Sequence, residues 1–296
     1  MKKIGFELTD RDKLVLKLCH DYAYVDSLYL KEAVFFDTTL DEKEKIKTVT
    51  NLRLKKLVEN GYLDRFLRVD TNYSPRDTVY TLGKMGEKFM SMEYGFCDYN
   101  SAWRKSLKIW YNHALGILRI AESIKEQLAT STEYTFIEFV PEVRAFFQYG
   151  DGKKDVLRPD GLVVIGDTQN KKDNICLFLE VENSVSTYRV IKAKMERYEA
   201  FLSSTARKKK YENKVTFEQP VSHFMPLFVT SEKIAASAVV EKLVRYKEDI
   251  EIEASALFES LVLVASQKEV TSNFFEPIYW NISNQNVEKK ISLFNE

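Results

Sequence analysis

The sequence predicts a mixed α/β (α+β) protein in two parts, a winged helix-turn-helix over residues 1–98 and a larger α/β domain over residues 99–296. Three observations carry this. Apolar residues recur at helical spacing up to Asn60, and then give way to two β-rich runs, YLDRFLRV and TVYTL, joined by a polar turn. The composition shifts near FCDYNSAWRK, around residue 100. Beyond that point a long helical pattern precedes three runs rich in β-branched and aromatic residues, an amphipathic segment and a further run, MPLFVT. That order suits a sheet with helices on its faces.

In the first part, Thr9 is a candidate N-cap, with Asp12 three residues on, ahead of Leu14, Leu16, Leu18 and Tyr22. Asp26 is placed to cap a second helix through Leu28, Leu30, Ala33 and Val34. A third helix is expected from about Asp41 to Asn60, and Asn60-Gly61 supplies its stop. The ribbon follows, with DTNYSPRD as its turn, and GKMGEKFM starts one more helix. Residues 45–68 carry seven basic side chains against Glu59 and Asp64, a net +5. This is the layout in which a helix enters the major groove and a ribbon touches phosphate. Thr50, Asn51, Arg53, Lys55 and Lys56 are the expected contacts on the helix, and Arg65 and Arg68 those on the wing. The plainer reading is a small helical module whose basic residues only solvate a surface.

The whole chain carries 44 basic and 44 acidic residues, but they are unevenly spread: residues 186–214 are net +6 and residues 215–296 net −5. Polarised charge of this kind, more than the sum, steers a polyanion. Cys19, Cys97 and Cys176 are odd in number and far apart, so they support neither a disulfide framework nor a Cys-rich zinc site and fit a reducing compartment. No stretch approaches the roughly 18 uncharged apolar residues of a membrane span, and MKKIGFELTDRDK has no apolar signal core. A cytoplasmic location is expected.

In the second part, a long helix from about Ser101 to Leu128 is followed by the strands YTFIEFV, VLRPDGLVVIG and ICLFLEVEN. The helix within SVSTYRVIKAKMERYEAFLSS comes next, then MPLFVT, a helix from about Glu232 to Tyr246, and the strand LVLVAS. Side chains two apart on a strand share a face, so Glu180 and Glu182 point the same way, and Asp160 in the preceding strand comes within reach of them. Three carboxylates at the edge of an apolar core are costly in desolvation and mutual repulsion. A hard divalent cation, Mg²⁺ or Mn²⁺, offsets both and suits phosphoryl transfer, with a nearby lysine stabilising charge on the phosphate oxygens. Ordinary solvated strand ends are the competing reading.

Pro159-Asp160, Glu180-x-Glu182 and the lysine-bearing helix that follows resemble the PD-(D/E)xK nuclease superfamily, which implies a restriction-endonuclease-like αβββαβ core. The motif lysine would fall at 182, where this chain has glutamate, so Lys194 is the leading substitute and Lys192 the second. More specifically, the chain resembles the replication-relaxation family, which includes the MOBC-class relaxases of plasmids and integrative elements. That resemblance covers roughly residues 8–230. It rests on the winged helix, Asn112-His113, Pro141-Glu142-Val143-Arg144, Pro159-Asp160-Gly161, Phe178-Leu179-Glu180-Val181-Glu182 and Lys194-x-x-x-Tyr198. It implies binding of double-stranded DNA at a transfer origin and metal-dependent nicking of one strand. It further implies Asp160, Glu180 and Glu182 as metal-binding acids and Glu142 and His113 as accessory groups. The rival is a non-catalytic DNA-binding accessory or regulator that keeps a degenerate nuclease fold.

The remaining candidates are simpler. His20, His113 and His223 include no close pair, so any metal falls to carboxylates. His113, among Trp110, Tyr111 and Leu115, reads first as a packed histidine and second as a phosphate or catalytic group. Tyr198, one helical turn after Lys194, either packs or, facing the acids, binds phosphate or acts as nucleophile. Arg207-Lys208-Lys209-Lys210 is expected in an exposed loop, gripping phosphate or only aiding solubility. No Walker A or dinucleotide fingerprint is present. Other mobilisation proteins are an expected partner class, and a homodimer is expected if the DNA site is palindromic.

Overall fold

The computed structural model describes residues 6–36, 43–68, 78–153, 155–250, 255–284, 287 and 289–294, with side chains in the third helix described from residue 49 onward. The chain divides into two compact units, Met1–Leu118 and Arg119–Glu296.

The first unit holds α1 (Asp10–Tyr22), β1 (Val25–Asp26), α2 (Ser27–Tyr29, continued as a π-turn over Leu30–Val34), α3 (Lys43–Glu59), β2 (Leu63–Leu67), β3 (Thr78–Leu82) and α4 (Lys84–Tyr94). Three helices closed by a sheet of order β1-β3-β2, antiparallel throughout, give the winged helix-turn-helix order. The turn DTNYSPRD lies outside the described residues. Thr9 does cap α1: Asp12 N donates to its hydroxyl at 3.3 Å, while Thr9 N donates to Asp12 Oδ2 at 2.7 Å. Asp26 caps α2 by accepting from Tyr29 N at 2.8 Å. The two-residue strand β1 escapes sequence reading because it is shorter than any periodic pattern.

The long helix expected from Ser101 is broken. A 3₁₀ turn covers Ser101–Lys105, and α5 (Tyr111–Leu128) begins only after it. Residues 99–110 are held by aromatic packing: Tyr99 meets Trp103, Trp103 meets Trp110 and Trp110 meets Tyr24, with centroids 5.2–5.8 Å apart. Tyr24 also donates its hydroxyl to Trp103 O at 3.0 Å. The division between the units falls after Leu118, within α5, and not at the composition shift near residue 100.

The second unit contains β4 (Tyr134–Pro141), α6 (Glu142–Ala145), β5 (Phe147–Gln148), β6 (Val156–Leu157), β7 (Gly161–Asp167), β8 (Ile175–Glu182), α7 (Tyr188–Leu202), α8 (Thr205–Val215) and β9 (His223–Thr230). After these come α9 (Ala236–Asp249), α10 (Ala256–Glu259), β10 (Leu263–Ser266), α11 (Gln267–Ser272), β11 (Tyr279–Asn281) and β12 (Lys290–Ile291). A seven-stranded sheet runs β12-β11-β10-β9-β8-β7-β4, with β8, β9 and β10 mutually parallel and the other neighbours antiparallel. With the end of α5, the series β4, β7, β8, α7, β9 gives the expected αβββαβ order.

Leu177, Leu179 and Val181 face one side of the sheet, while Cys176 and Phe178 face the other, where they pack with Ile191, Met195, Tyr198 and Phe201 of α7. The run VLRPDGLVVIG is not one strand: β6 pairs with β5 in a separate ribbon, and β7 starts at Gly161. Nor is Arg207-Lys208-Lys209-Lys210 a loop. It lies in α8, capped by Ser204 and anchored by buried Tyr211 and Val215, whose four-residue spacing the charge run masks. No helix among the described residues is long and apolar enough to cross a membrane.

Asp12 is fully buried, and Arg53 Nε of α3 donates to its Oδ1 at 2.9 Å. Burial works against its carboxylate, but the hydrogen bonds from Arg53 and Thr9 outweigh it and hold the group below its ordinary 3.8. Its contribution is therefore present above that value and lost as pH falls through the lower, folded-state value. Asp12→Ala should cost about 2–4 kcal/mol, since it strands the arginine and removes half of the cap. Urea denaturation near neutral pH measures this, and the variant should also lose part of the stability change seen on acidification.

Candidate active site

Asp160 sits just before β7 and is tied to β8 twice: its N donates to Leu179 O at 2.9 Å, and Val181 N donates to its Oδ2 at 2.7 Å. Those residues flank Glu180, which makes Glu180 the neighbour of Asp160 across the strands. The next residue, Gly161, leaves room for β4: a Cβ there would stand 2.7 Å from the Phe139 ring. Glu180 and Glu182 are 3% and 4% exposed and lie on the face covered by α7, as the two-residue period requires.

From α7, Lys194 reaches into this pair. Its Nζ stands 2.7 Å from Glu180 Oε2 and 2.7 Å from Glu182 Oε1. One turn later Tyr198 donates its buried hydroxyl to Glu180 Oε1 at 2.6 Å. Ser186, in the β8–α7 connection, donates to Glu182 Oε2. Each glutamate thus has one oxygen on the shared ammonium and the other on a hydroxyl.

The electrostatics follow from burial. Desolvation is the largest influence on Glu180 and Asp160 adds to it, so the carboxyl is pushed up to about 7 although Lys194 and Tyr198 favour its ionised form. Burial disfavours the Lys194 ammonium, but two adjacent glutamates outweigh it and raise the group above its ordinary value. The Tyr198 phenol is raised by its burial and by the negative charge of Glu180, so it stays protonated.

The expected site residues are brought together unequally. Glu180, Glu182, Lys194 and Tyr198 form one bonded cluster, and Asp160 adjoins it at Glu180. Lys194, not Lys192, is the lysine that spans the acids. The expected convergence of Asp160, Glu180 and Glu182 into a single ligand pocket needs correction: among the described residues no group of three His, Cys, Asp or Glu side chains is disposed to hold a metal ion. An ammonium stands between two of the three acids instead. Tyr198, 2% exposed and bonded to Glu180, is placed to orient that carboxylate, not to attack a substrate. Glu142 follows Pro141, the partner of Gly161, and its carboxylate accepts from Arg158. His113 belongs to the first unit, where its N donates to Trp110 O. Ser186 was not anticipated; the signal was a hydroxyl residue in the polar SVST stretch between an acidic strand end and a helix start.

Several expected DNA contacts also need correction. Thr50 is fully buried, so it cannot meet a base edge. Arg53 is committed to Asp12 and covers the Phe6 ring at 4.6 Å. The Arg68 side chain is 6% exposed, lies 3.8 Å from Asp26 and donates to Asn112 Oδ1 at 3.1 Å. Asn51, Lys55, Lys56 and Arg65 remain exposed, with Lys55 at 3.7 Å from Glu59. The side chains of Lys45 and Lys47 lie outside the described residues.

Residues 27–216 match the family model described as replication-relaxation. No curated protein matches the chain. Among solved structures, restriction endonuclease FokI is similar at 13% identity and a TM-score of 0.30, over 79% of this chain and 44% of that one. FokI bound to DNA is similar at 14% identity and a TM-score of 0.29, over 90% and 45%. The chain therefore spans less than half the length of these structures. It belongs to the replication-relaxation family.

An acid raised in the folded state stabilises it below the unfolded value and loses that contribution as pH rises through the folded value. For Glu180 the window runs from the ordinary 4.5 to about 7. Urea midpoints should accordingly fall across this range in the wild type, and Glu180→Gln should flatten the decline. An equally steep decline in the variant would assign it to other groups.

Proposed function

We propose that this member of the replication-relaxation family is a DNA-binding, metal-dependent endonuclease that nicks double-stranded DNA at a plasmid or integrative-element transfer origin. The observation that carries the reading is Glu180, buried beside Asp160, with its carboxyl pushed up to about 7 while an ammonium and a phenol already serve it. Two glutamates share one ammonium and Asp160 adjoins Glu180, which leaves an excess of negative charge in a low-dielectric site. The hard oxygens of Asp160 and Glu180 suit Mg²⁺ or Mn²⁺, and these two residues would hold it. Bound there, the ion supplies charge neutralisation at a phosphate and a lowered pKa for attacking water.

The chain's own residues supply the rest. Lys194 presents a permanent positive charge that stabilises oxygens gaining charge during phosphodiester cleavage. Tyr198 fixes the orientation of Glu180, and Val181 N fixes that of Asp160. In the first unit, Asn51, Lys55, Lys56 and Arg65 are the exposed groups left to meet duplex DNA.

A second reading has its own support. Lys194 already neutralises part of the cluster, which suits a scaffold whose chemistry is lost and a protein that acts as a DNA-binding accessory.

Asp160→Ala should abolish nicking of supercoiled transfer-origin DNA in Mg²⁺ while duplex affinity stays within about twofold, because removing one acid leaves the basic contacts intact. Saturable binding by the wild type with no strand break in Mg²⁺ or Mn²⁺ would instead establish the accessory reading. Reversing Lys55 and Lys56 to glutamate should weaken duplex binding and lower the slope of log affinity against log salt by about two. Fluorescence anisotropy over a salt series measures this, and an unchanged slope would take those lysines out of the interface.

A further inference from the structure

We infer that Glu182, locked by Ser186, is a positioning residue that holds Lys194 over the reaction centre and is not a ligand of the cation. The inference rests on the cation-dependent reading above and assigns a job to the residue that stands where a lysine was expected. Three observations support it. Asp160 is bonded to β8 at Leu179 and Val181, so the acid it adjoins is Glu180, and Glu182 lies beyond, where β8 pairs Glu182 with Thr230 of β9. Glu182 holds Lys194 through Oε1 at 2.7 Å, and its Oε2 accepts from the Ser186 hydroxyl. Glu180 is engaged in the same way by Lys194 and Tyr198, so it is the place of Asp160 beside Glu180 that sets the two glutamates apart. The Glu182 backbone is pinned as well, its carbonyl accepting from Ser231 N at 3.0 Å.

Geometry explains why such a holder is needed. A lysine on β8 itself would be positioned by the strand, whereas Lys194 arrives from a helix on a long, flexible stem. Glu180 alone would leave the ammonium free to swing about one contact. A second carboxylate two residues along the same strand face fixes it from the other side, and the serine removes the remaining freedom of that carboxylate.

The test reads the lysine and the cation separately. In metal-free protein, the Lys194 ammonium should give an NMR signal whose hydrogen exchange is slowed by its two carboxylates. Glu182→Gln should speed that exchange by about tenfold, and Ser186→Ala, the gentler variant should the first not fold, by about threefold in the same direction. Exchange as slow in both variants as in the wild type would overturn the inference.

The second arm is Mn²⁺ binding followed by electron paramagnetic resonance. Glu182→Gln should keep the wild-type affinity within about twofold, while Asp160→Asn weakens it more than about tenfold. Equal losses in the two variants would make Glu182 a ligand and end the proposal. If the wild type itself bound no Mn²⁺, the endonuclease reading would fall, and the exchange measurement would still decide what Glu182 holds.

Discussion

The second unit is organised around one demand: two glutamates on the same strand face are removed from water, and their charge has to be answered from the helix laid across them. Lys194 answers it for both at once, with Nζ at 2.7 Å from each. An unpaired buried carboxylate costs several kcal/mol, on the order of what a whole domain has to spare. The register of α7 on the sheet is therefore not free to slip. Tyr198 reinforces it one turn later, and the aromatic cluster of Phe178, Phe201, Tyr211 and Phe224 packs behind it.

What Lys194 cannot supply is the last part of the charge balance. Glu180 remains high in pKa because burial disfavours its charged form, and the negative charge of Asp160 alongside adds to this. The short tie between Asp160 and the backbone of Val181 keeps the third acid from moving away.

The first unit shows the same economy with opposite consequences. Two arginines that a charge count assigns to DNA are consumed internally, Arg53 by buried Asp12 and Arg68 by Asp26 and Asn112. A basic stretch on a helix is thus a mixture of structural and surface cations, and only the exposed members can carry an electrostatic footprint on a polyanion.

The strand faces, the capping box at Thr9, the αβββαβ order and the shared face of Glu180 and Glu182 were legible because each follows from a local period or from a cap within a few residues. Lys194 was legible as a candidate only through the resemblance to PD-(D/E)xK nucleases, as the substitute for the motif lysine that position 182 lacks. The pairing of Arg53 with Asp12, the burial of Thr50, the break of the long helix before Tyr111 and the helix hidden in the basic run around Lys208 were not. They depend on which side chains meet across long sequence separations. The sequence by itself determined which residues share a face and which types of group are available. Tertiary structure decided which charges are answered inside the fold and which are left over, because the cost of a charge depends on its surroundings and not on its neighbours in sequence.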